Sequence, residues 1–236
     1  MSKNYKLSIV IPCYNEAKNI PLIAEKFSQA INRDDIEIIL VNNGSQDNSQ
    51  AVIDDVMMLY KFLKTHKVEV NQGYGFGILS GLKVASGEFI GWTHADMQTD
   101  PKDTLRALEI IEQNGLVKNI YVKGSRKGRA MFDNFFTIGM SIFETLLMGV
   151  SLWEVNAQPN IFHKSFFTKW QNPPHDFALD LYVYYLAKKS NLKIIRFPVL
   201  FPPRIHGTSS WNNSFGDKWK FIKRTVKFSV VLKKSF

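Results

Sequence analysis

Leu7-Ser8-Ile9-Val10-Ile11-Pro12-Cys13-Tyr14-Asn15-Glu16 decides how the rest of this chain is read. A compact β-branched run ends in proline and hands over at once to polar residues. That is the pattern of a strand buried on both faces with a loop at its carboxyl end. Outward from it the alternation repeats. Ala17–Ile31 has helical spacing through Ile20, Ile23, Ala24, Phe27 and Ile31, and Glu37–Val41 is a second buried strand. The turn-rich Asn42–Ser49 leads into a helix over Gln50–Phe62, then a short strand over Lys67–Val70. Gly73–Ala85 is a Gly-punctuated helix and Glu88–Trp92 a fourth strand. Strands alternating with helices predict βαβ units, hence an α/β fold with a mostly parallel central sheet flanked by helices.

In such sheets ligands bind beyond the carboxyl ends of the strands. Four polar segments therefore converge: Tyr14-Asn15-Glu16, Asn42-Asn43-Gly44-Ser45, Asn71-Gln72-Gly73 and His94-Ala95-Asp96. The second half is less regular. Helices are expected over Pro101–Gln113, Phe132–Gly149, Phe177–Lys189 and Ser214–Leu232, with strands over Asn119–Lys123 and Lys193–Val199. The expected organisation is one domain over 1–210 followed by a basic amphipathic helix over 211–236.

Composition sets the bounds. With 236 residues, 45% hydrophobic and 22% charged, the chain has the make-up of a globular protein able to bury a large core. The lone Cys13 excludes an internal disulfide. Polar Met1–Lys6 leads straight into the first strand, so no signal peptide is expected. Phe132–Trp153 is interrupted by Asp133, Asn134 and Glu144, so no membrane span is expected. The net charge of +9 calls for an anionic partner: nucleic acid, anionic lipid or a phosphorylated small molecule. Its distribution disfavours nucleic acid, because the basic residues accompany no recognition motif.

The strand-end blocks resemble the inverting family 2 glycosyltransferases of the GT-A fold, in particular the polyprenyl-phosphate sugar synthases such as dolichol-phosphate mannose synthase. Ile9–Glu16 looks like the family's opening strand and loop, and Val41–Ser49 like its nucleotide loop. Asn71-Gln72-Gly73-Tyr74-Gly75 with Gly81, Ala85 and Gly87 looks like its Gly-rich helix start. His94-Ala95-Asp96-Met97-Gln98-Thr99-Asp100-Pro101 looks like its Asp-x-Asp-x-Gln metal block. A weaker resemblance continues through Gly124-Ser125-Arg126 and Arg204-Ile205-His206-Gly207-Thr208-Ser209.

The resemblance implies a donor site of Pro12, Tyr14, Glu16, Asn43, Ser45, Gly73 and Asp96, with Asp96, Gln98 and His94 around Mg²⁺ or Mn²⁺. A hard cation neutralises the diphosphate that leaves when the sugar moves. His94 stands where the family has a carboxylate, and Asn42 and Asn43 replace its usual acidic pair; an Asn keeps an acceptor and adds a donor. A plain turn is the lesser reading of Asn43-Gly44-Ser45, whereas Asp47 is better explained as a helix cap than as a ligand. Gly73, Gly75 and Gly77 suit either backbone approach to a ligand or close helix–sheet packing. They do not spell a dinucleotide fingerprint.

On the acceptor side, Arg126, Arg129, His206 and Ser209 are candidates for binding phosphate, and Arg204 for balancing charge in catalysis. Glu154 ranks first and Asp180 second as general base. The partners so implied are a nucleotide-sugar donor, a polyprenyl phosphate or lipid-linked glycan acceptor, and a peripheral membrane contact at the inner face of the cell membrane, in the cytoplasm. Lys220, Lys223, Arg224, Lys227 and Lys234 fall on one side of the C-terminal helix, and Trp219, Phe221, Ile222, Val226, Phe228, Val230 and Leu232 on the rest. That pattern suits a membrane interface or packing on the domain. Two rivals remain: a non-catalytic GT-A-like scaffold of a polysaccharide assembly pathway, motivated by the missing carboxylates, and a nucleotidyltransferase. The latter would need a Gly-rich, basic loop after the first strand, where Cys13-Tyr14-Asn15-Glu16 is acidic. Oligomeric state is left open.

Overall fold

The computed structural model describes residues 4–127, 131–202 and 215–234, and for 131–138 and 215–221 the backbone alone. Arg129, Arg204, His206 and Ser209 lie outside the described residues. So do the side chains of Trp219, Lys220 and Phe221.

Seven strands form one sheet: β1 Leu7–Cys13, β2 Ile36–Asn43, β3 Leu63–Val68, β4 Phe89–Trp92, β5 Ile120–Lys127, β6 Asn160–His163 and β7 Lys193–Leu200. Their order is β3-β2-β1-β4-β6-β5-β7. Every neighbouring pair is parallel except those made by β6, which runs antiparallel to both β4 and β5. The carboxyl ends of the other six strands therefore share one edge, and β6 brings its amino end, Asn160, to that edge. There Asn160 lies opposite Trp92 on one side and Lys123 on the other.

Helices cover both faces: α1 Ile20–Ala30, α2 Ser49–Leu59, α3 Tyr74–Val84, α4 Pro101–Gln113, α5 Met131–Met148, the short α6 Lys164–Phe167, α7 Ala178–Lys189 and α8 Phe215–Lys234. Alternate residues of β1 explain the two layers. Leu7, Ile9, Ile11 and Cys13 pack with α1, α2 and α4, while Val10 packs with α3 and α7. Burial on both faces is why these strands read as unbroken apolar runs. In α1, Ile20, Ile23, Ala24 and Phe27 form the buried stripe. The α4 helix starts where Pro101 takes the first turn and the Asp100 carboxylate accepts from the Lys102 N–H.

Five elements differ from expectation: β5 runs on to Lys127, the short α6 was not anticipated, and α2, β3 and β6 also depart from it. The α2 helix stops at Leu59 and β3 begins at Leu63, earlier than the sequence pattern placed them. β3 is the edge strand, so its burial alternates and it lacks the apolar run of a central strand. β6 was not anticipated: it lies in the irregular second half, outside the strand–helix alternation that marked the equally short β4.

Among the described residues no helix is long and apolar enough to cross a membrane. The α8 helix instead lies on α5 and α7. Its Leu232 is buried, and the Ser229 hydroxyl donates to the Glu144 carboxylate of α5 at 2.8 Å. Val230 and Val231, by contrast, are exposed on the face that carries the lysines.

Candidate functional site

A cleft of about 390 Å³ opens at the shared carboxyl edge, lined by Pro12, Tyr14, Glu16, Asn43, Asn71, Tyr74, His94, Ala95, Asp96 and Phe177. Six of the predicted residues meet there: Pro12, Tyr14, Glu16, Asn43, His94 and Asp96. They sit at the ends of β1, β2 and β4, and backbone geometry holds them there. Asn15 adopts a left-handed conformation (φ 56°), so that its carboxamide oxygen accepts from the Gln46 N–H at 2.8 Å. Its own N–H donates to the Ser45 hydroxyl. Ser45 thus ties the first two loops together and does not line the cleft. Asp47 accepts from the N–H and hydroxyl of Ser49 in the turn before α2, whose N-cap position is Asn48 and carries no side-chain capping bond.

Asn43 is 3% exposed. Its Nδ2 donates to the Gly73 carbonyl at 3.0 Å, which fixes the amide and leaves the buried Oδ1 as an acceptor with no hydrogen-bond partner among the described residues. Gly77 makes room for this side chain, since a Cβ there would come within 2.9 Å of the Asn43 amide. Gly73, at φ 107°, and Gly75 instead face the backbone of Pro174–Asp176, where a Cβ would meet carbonyl oxygens. Their role is close packing. By bringing the 174–177 segment against α3 they set Phe177 on the cleft wall.

That wall is aromatic. Phe177 stacks on Tyr74 with ring centroids 4.7 Å apart, and Tyr74 stacks on His94 at 5.7 Å. Asn71, from the third of the converging polar segments, also lines the cleft, whereas sequence reasoning missed Tyr74 and Phe177 as lining residues. The aromatic directly after Gly73 was a usable signal for Tyr74; Phe177 offered none, because it arrives from a distant part of the chain.

Asp96 is 7% exposed, and its Oδ1 accepts from the Gln98 N–H at 3.1 Å across a turn in which Met97 is left-handed. Gln98 itself reaches the other way, donating from Nε2 to the Pro202 carbonyl after β7. Among the described residues no group of three or more His, Cys, Asp or Glu side chains is placed to hold a metal. One carboxylate and one imidazole on the same wall fit a divalent ion whose remaining ligands come with a bound diphosphate, not a resident ion in a closed cage.

The acceptor candidates lie beside the β5 and β7 ends. Glu154 is left-handed (φ 49°) and its carboxylate accepts from the Ser125 hydroxyl at 2.9 Å, the Arg126 N–H at 3.1 Å and the Arg196 guanidinium at 2.6 Å. Asp180 is 2% exposed, inside α7, and accepts from Gln158 at 2.9 Å and Asn160 at 3.3 Å. Burial raises its carboxyl above the usual range, against the opposing pull of Lys123 and His94. Neither Glu154 nor Asp180 lines the cleft. Burial also pushes the Lys123 ammonium down to about 7.

Three likenesses accompany this geometry. A transferase from Yersinia enterocolitica that moves 4-deoxy-4-formamido-L-arabinose to undecaprenyl phosphate is 34% identical over 114 residues, 46% of this chain and 34% of the relative. The chain spans about a third of the length of such curated relatives. Glucosyl-3-phosphoglycerate synthase from Mycobacterium tuberculosis, solved with Mn²⁺, UDP and glucosyl-3-phosphoglycerate, superposes with TM-score 0.71 at 14% identity, over 97% of this chain and 80% of that one. A mannosyltransferase from Pyrobaculum calidifontis, solved with GDP-mannose and Mn²⁺, gives 0.67 at 15% identity, over 94% and 61%. These last two share the GT-A fold. The family profile described as Glycosyl transferase family 2 matches residues 8–148, more than half of the chain, and with a GT-A sheet whose strand ends form the cleft, the chain belongs to that family of glycosyltransferases.

Proposed function

We propose that this chain transfers a sugar, with inversion, from a nucleotide-diphospho-sugar to a polyprenyl phosphate at the cytoplasmic face of a membrane. The observation that carries the reading is the single cleft shared by Tyr14, Asn43, His94 and Asp96 at the sheet's carboxyl edge. Tyr14, 43% exposed, offers a ring face to the base. Asn43, whose amide is held by the Gly73 carbonyl, shapes the wall of the cleft where the base docks, and Glu16 accepts from a ribose hydroxyl. Asp96 and His94 are the residues that would hold Mn²⁺ or Mg²⁺. The ion supplies charge neutralisation for the leaving group.

At the anomeric carbon, the bond to the acceptor oxygen forms as the bond to the diphosphate breaks. A phosphate oxygen is already anionic and needs no base. That suits a Glu154 whose carboxylate is engaged by Ser125, Arg126 and Arg196: it aligns the two arginines for the acceptor phosphate. The undecaprenyl-phosphate transferases among the relatives support this acceptor class.

The outer surface supports a membrane partner. The exposed stripe of α5 carries Ile142, Phe143 and Leu146, the last 77% exposed. On α8, Lys223, Lys227, Val230 and Lys234 recur at i, i+4, i+7 and i+11 along one exposed face. Apolar and basic stripes on two packed helices suit an anionic bilayer.

The test is a thermal-shift panel of UDP- and GDP-sugars with and without Mn²⁺, followed by transfer of labelled sugar to undecaprenyl phosphate. Ligand at about 100 times its Kd adds about 2.7 kcal/mol to the folded state. A melting temperature that no nucleotide-sugar moves would overturn the reading.

A further inference from the structure

We propose that Lys123 is the residue that positions the acceptor side of the cleft, its buried ammonium gripping the turn behind Glu154 and, through Asn160 and Gln158, the Tyr74 hydroxyl. The inference rests on the glycosyl-transfer reading of the cleft.

Lys123 sits within β5 between Val122 and Gly124, wholly inaccessible to solvent. A valine or isoleucine would fill such a strand position without difficulty. A buried ammonium is tolerated only when each of its N–H groups finds an acceptor. Here the match is complete: Nζ donates to the Val155 carbonyl at 2.6 Å, the Ala157 carbonyl at 2.6 Å and the Asn160 Oδ1 at 3.0 Å. Three donors meet three acceptors, two of them backbone carbonyls of one turn.

Two arms leave this centre. The first is the turn itself. Glu154, immediately before Val155, holds a left-handed conformation that a long side chain rarely adopts without support. Gripping the next carbonyls keeps the Glu154 carboxylate on Ser125, Arg126 and Arg196. The second arm runs through side chains. Asn160 Oδ1 also accepts from the Tyr121 hydroxyl at 2.6 Å, while Asn160 Nδ2 donates to Gln158 Oε1 at 2.6 Å. Gln158 Nε2 donates to Asp180 at 2.9 Å and to the Tyr74 hydroxyl at 3.3 Å. Tyr74 lines the cleft. Buried Asp180 answers the lysine's charge, Glu154 adds to it, and Arg126 and Arg196 oppose it. The ring of Tyr184 lies 5.5 Å from Nζ. Lys123 thus acts through other residues and touches no substrate.

The experiment compares wild type with Lys123→Met in three readouts: calorimetry of UDP and GDP with Mn²⁺, steady-state transfer to undecaprenyl phosphate, and hydrogen exchange of the segment 154–160. Nucleotide affinity should stay within about twofold, because the Tyr74 ring keeps its stacks on His94 and Phe177 when only its hydroxyl contact loosens, while the acceptor KM rises or kcat falls by about tenfold, the scale of lost buried hydrogen bonds. Exchange should accelerate in 154–160 and not in β1 or β2. Should the methionine variant not fold, Lys123→Gln, which keeps two N–H donors, carries the same comparison with a smaller loss. Unchanged acceptor kinetics, or unchanged exchange in 154–160, overturns the assignment of Lys123. If the wild type transfers sugar to no phosphate acceptor, the functional reading fails, and the exchange arm still decides whether Lys123 holds the turn.

Discussion

Arg224 of α8 contacts the carboxylate of Asp176 at 3.2 Å and lies over the ring of Phe177 at 5.9 Å, so the C-terminal helix touches the segment that forms the aromatic wall of the cleft. The wall continues through Phe177 on Tyr74 and Tyr74 on His94. Stacked aromatic pairs contribute about 0.5–1.5 kcal/mol beyond area burial. Phe177→Ala should therefore weaken nucleotide-sugar binding by up to about tenfold, as read by calorimetry. An affinity equal to wild type would remove Phe177 from the donor site.

Asp96→Asn keeps the shape and the turn acceptor but removes the charge. Turnover should fall by about a hundredfold or more, with the Mn²⁺-dependent part of the nucleotide thermal shift abolished. A variant retaining metal-dependent turnover would show that the ion is held elsewhere.

Gly77→Ala places a methyl against the Asn43 amide. Overpacking of about 1–3 kcal/mol is only partly offset by about 1 kcal/mol of helix propensity, so the melting temperature should fall by no more than about 8 °C. The amide must then shift off the Gly73 carbonyl, and nucleotide affinity should drop several-fold, measurable by titration with UDP and GDP.

Glu144 is 2% exposed and burial lifts its carboxyl to about 7, with the Ser229 hydroxyl pulling the other way. Its folded value lies above the unfolded one, so the folded state binds the extra proton and gains stability at low pH. Between about pH 4.5 and 7 that contribution is lost as pH rises, to a total of about 3 kcal/mol. Glu144→Gln should flatten this slope in chemical denaturation at a series of pH values. An unaltered slope would show that another group sets it.

Each lysine near an anionic bilayer contributes about 1 kcal/mol. Lys223→Glu, Lys227→Glu and Lys234→Glu together should reduce sedimentation with phosphatidylglycerol vesicles by at least about a hundredfold in affinity. Transfer to a short, water-soluble isoprenyl phosphate should be spared.

Much of the fold was legible because its decisive signals are local. The apolar runs Leu7–Cys13 and Ile36–Asn43 and the helical stripe of α1 announce buried strands and helices wherever they sit in the chain. Topology rules then carry polar strand ends to one edge, which is why the segments holding Tyr14, Glu16, Asn43, His94 and Asp96 could be gathered from order, while Pro12 and the roles of the others came from the family resemblance.

Contacts between segments far apart in the chain are not written in any local pattern. Gly73 and Gly75 look the same in sequence whether they serve a ligand or a neighbouring backbone; the contact with Pro174–Asp176 settles it for packing. Lys123 looks like an ordinary strand lysine until the turn at Val155–Ala157 closes over it. The reason is physical. Periodicity encodes which face of an element is buried, while hydrogen-bond partners and ring stacks are fixed by packing between elements, which no local pattern records.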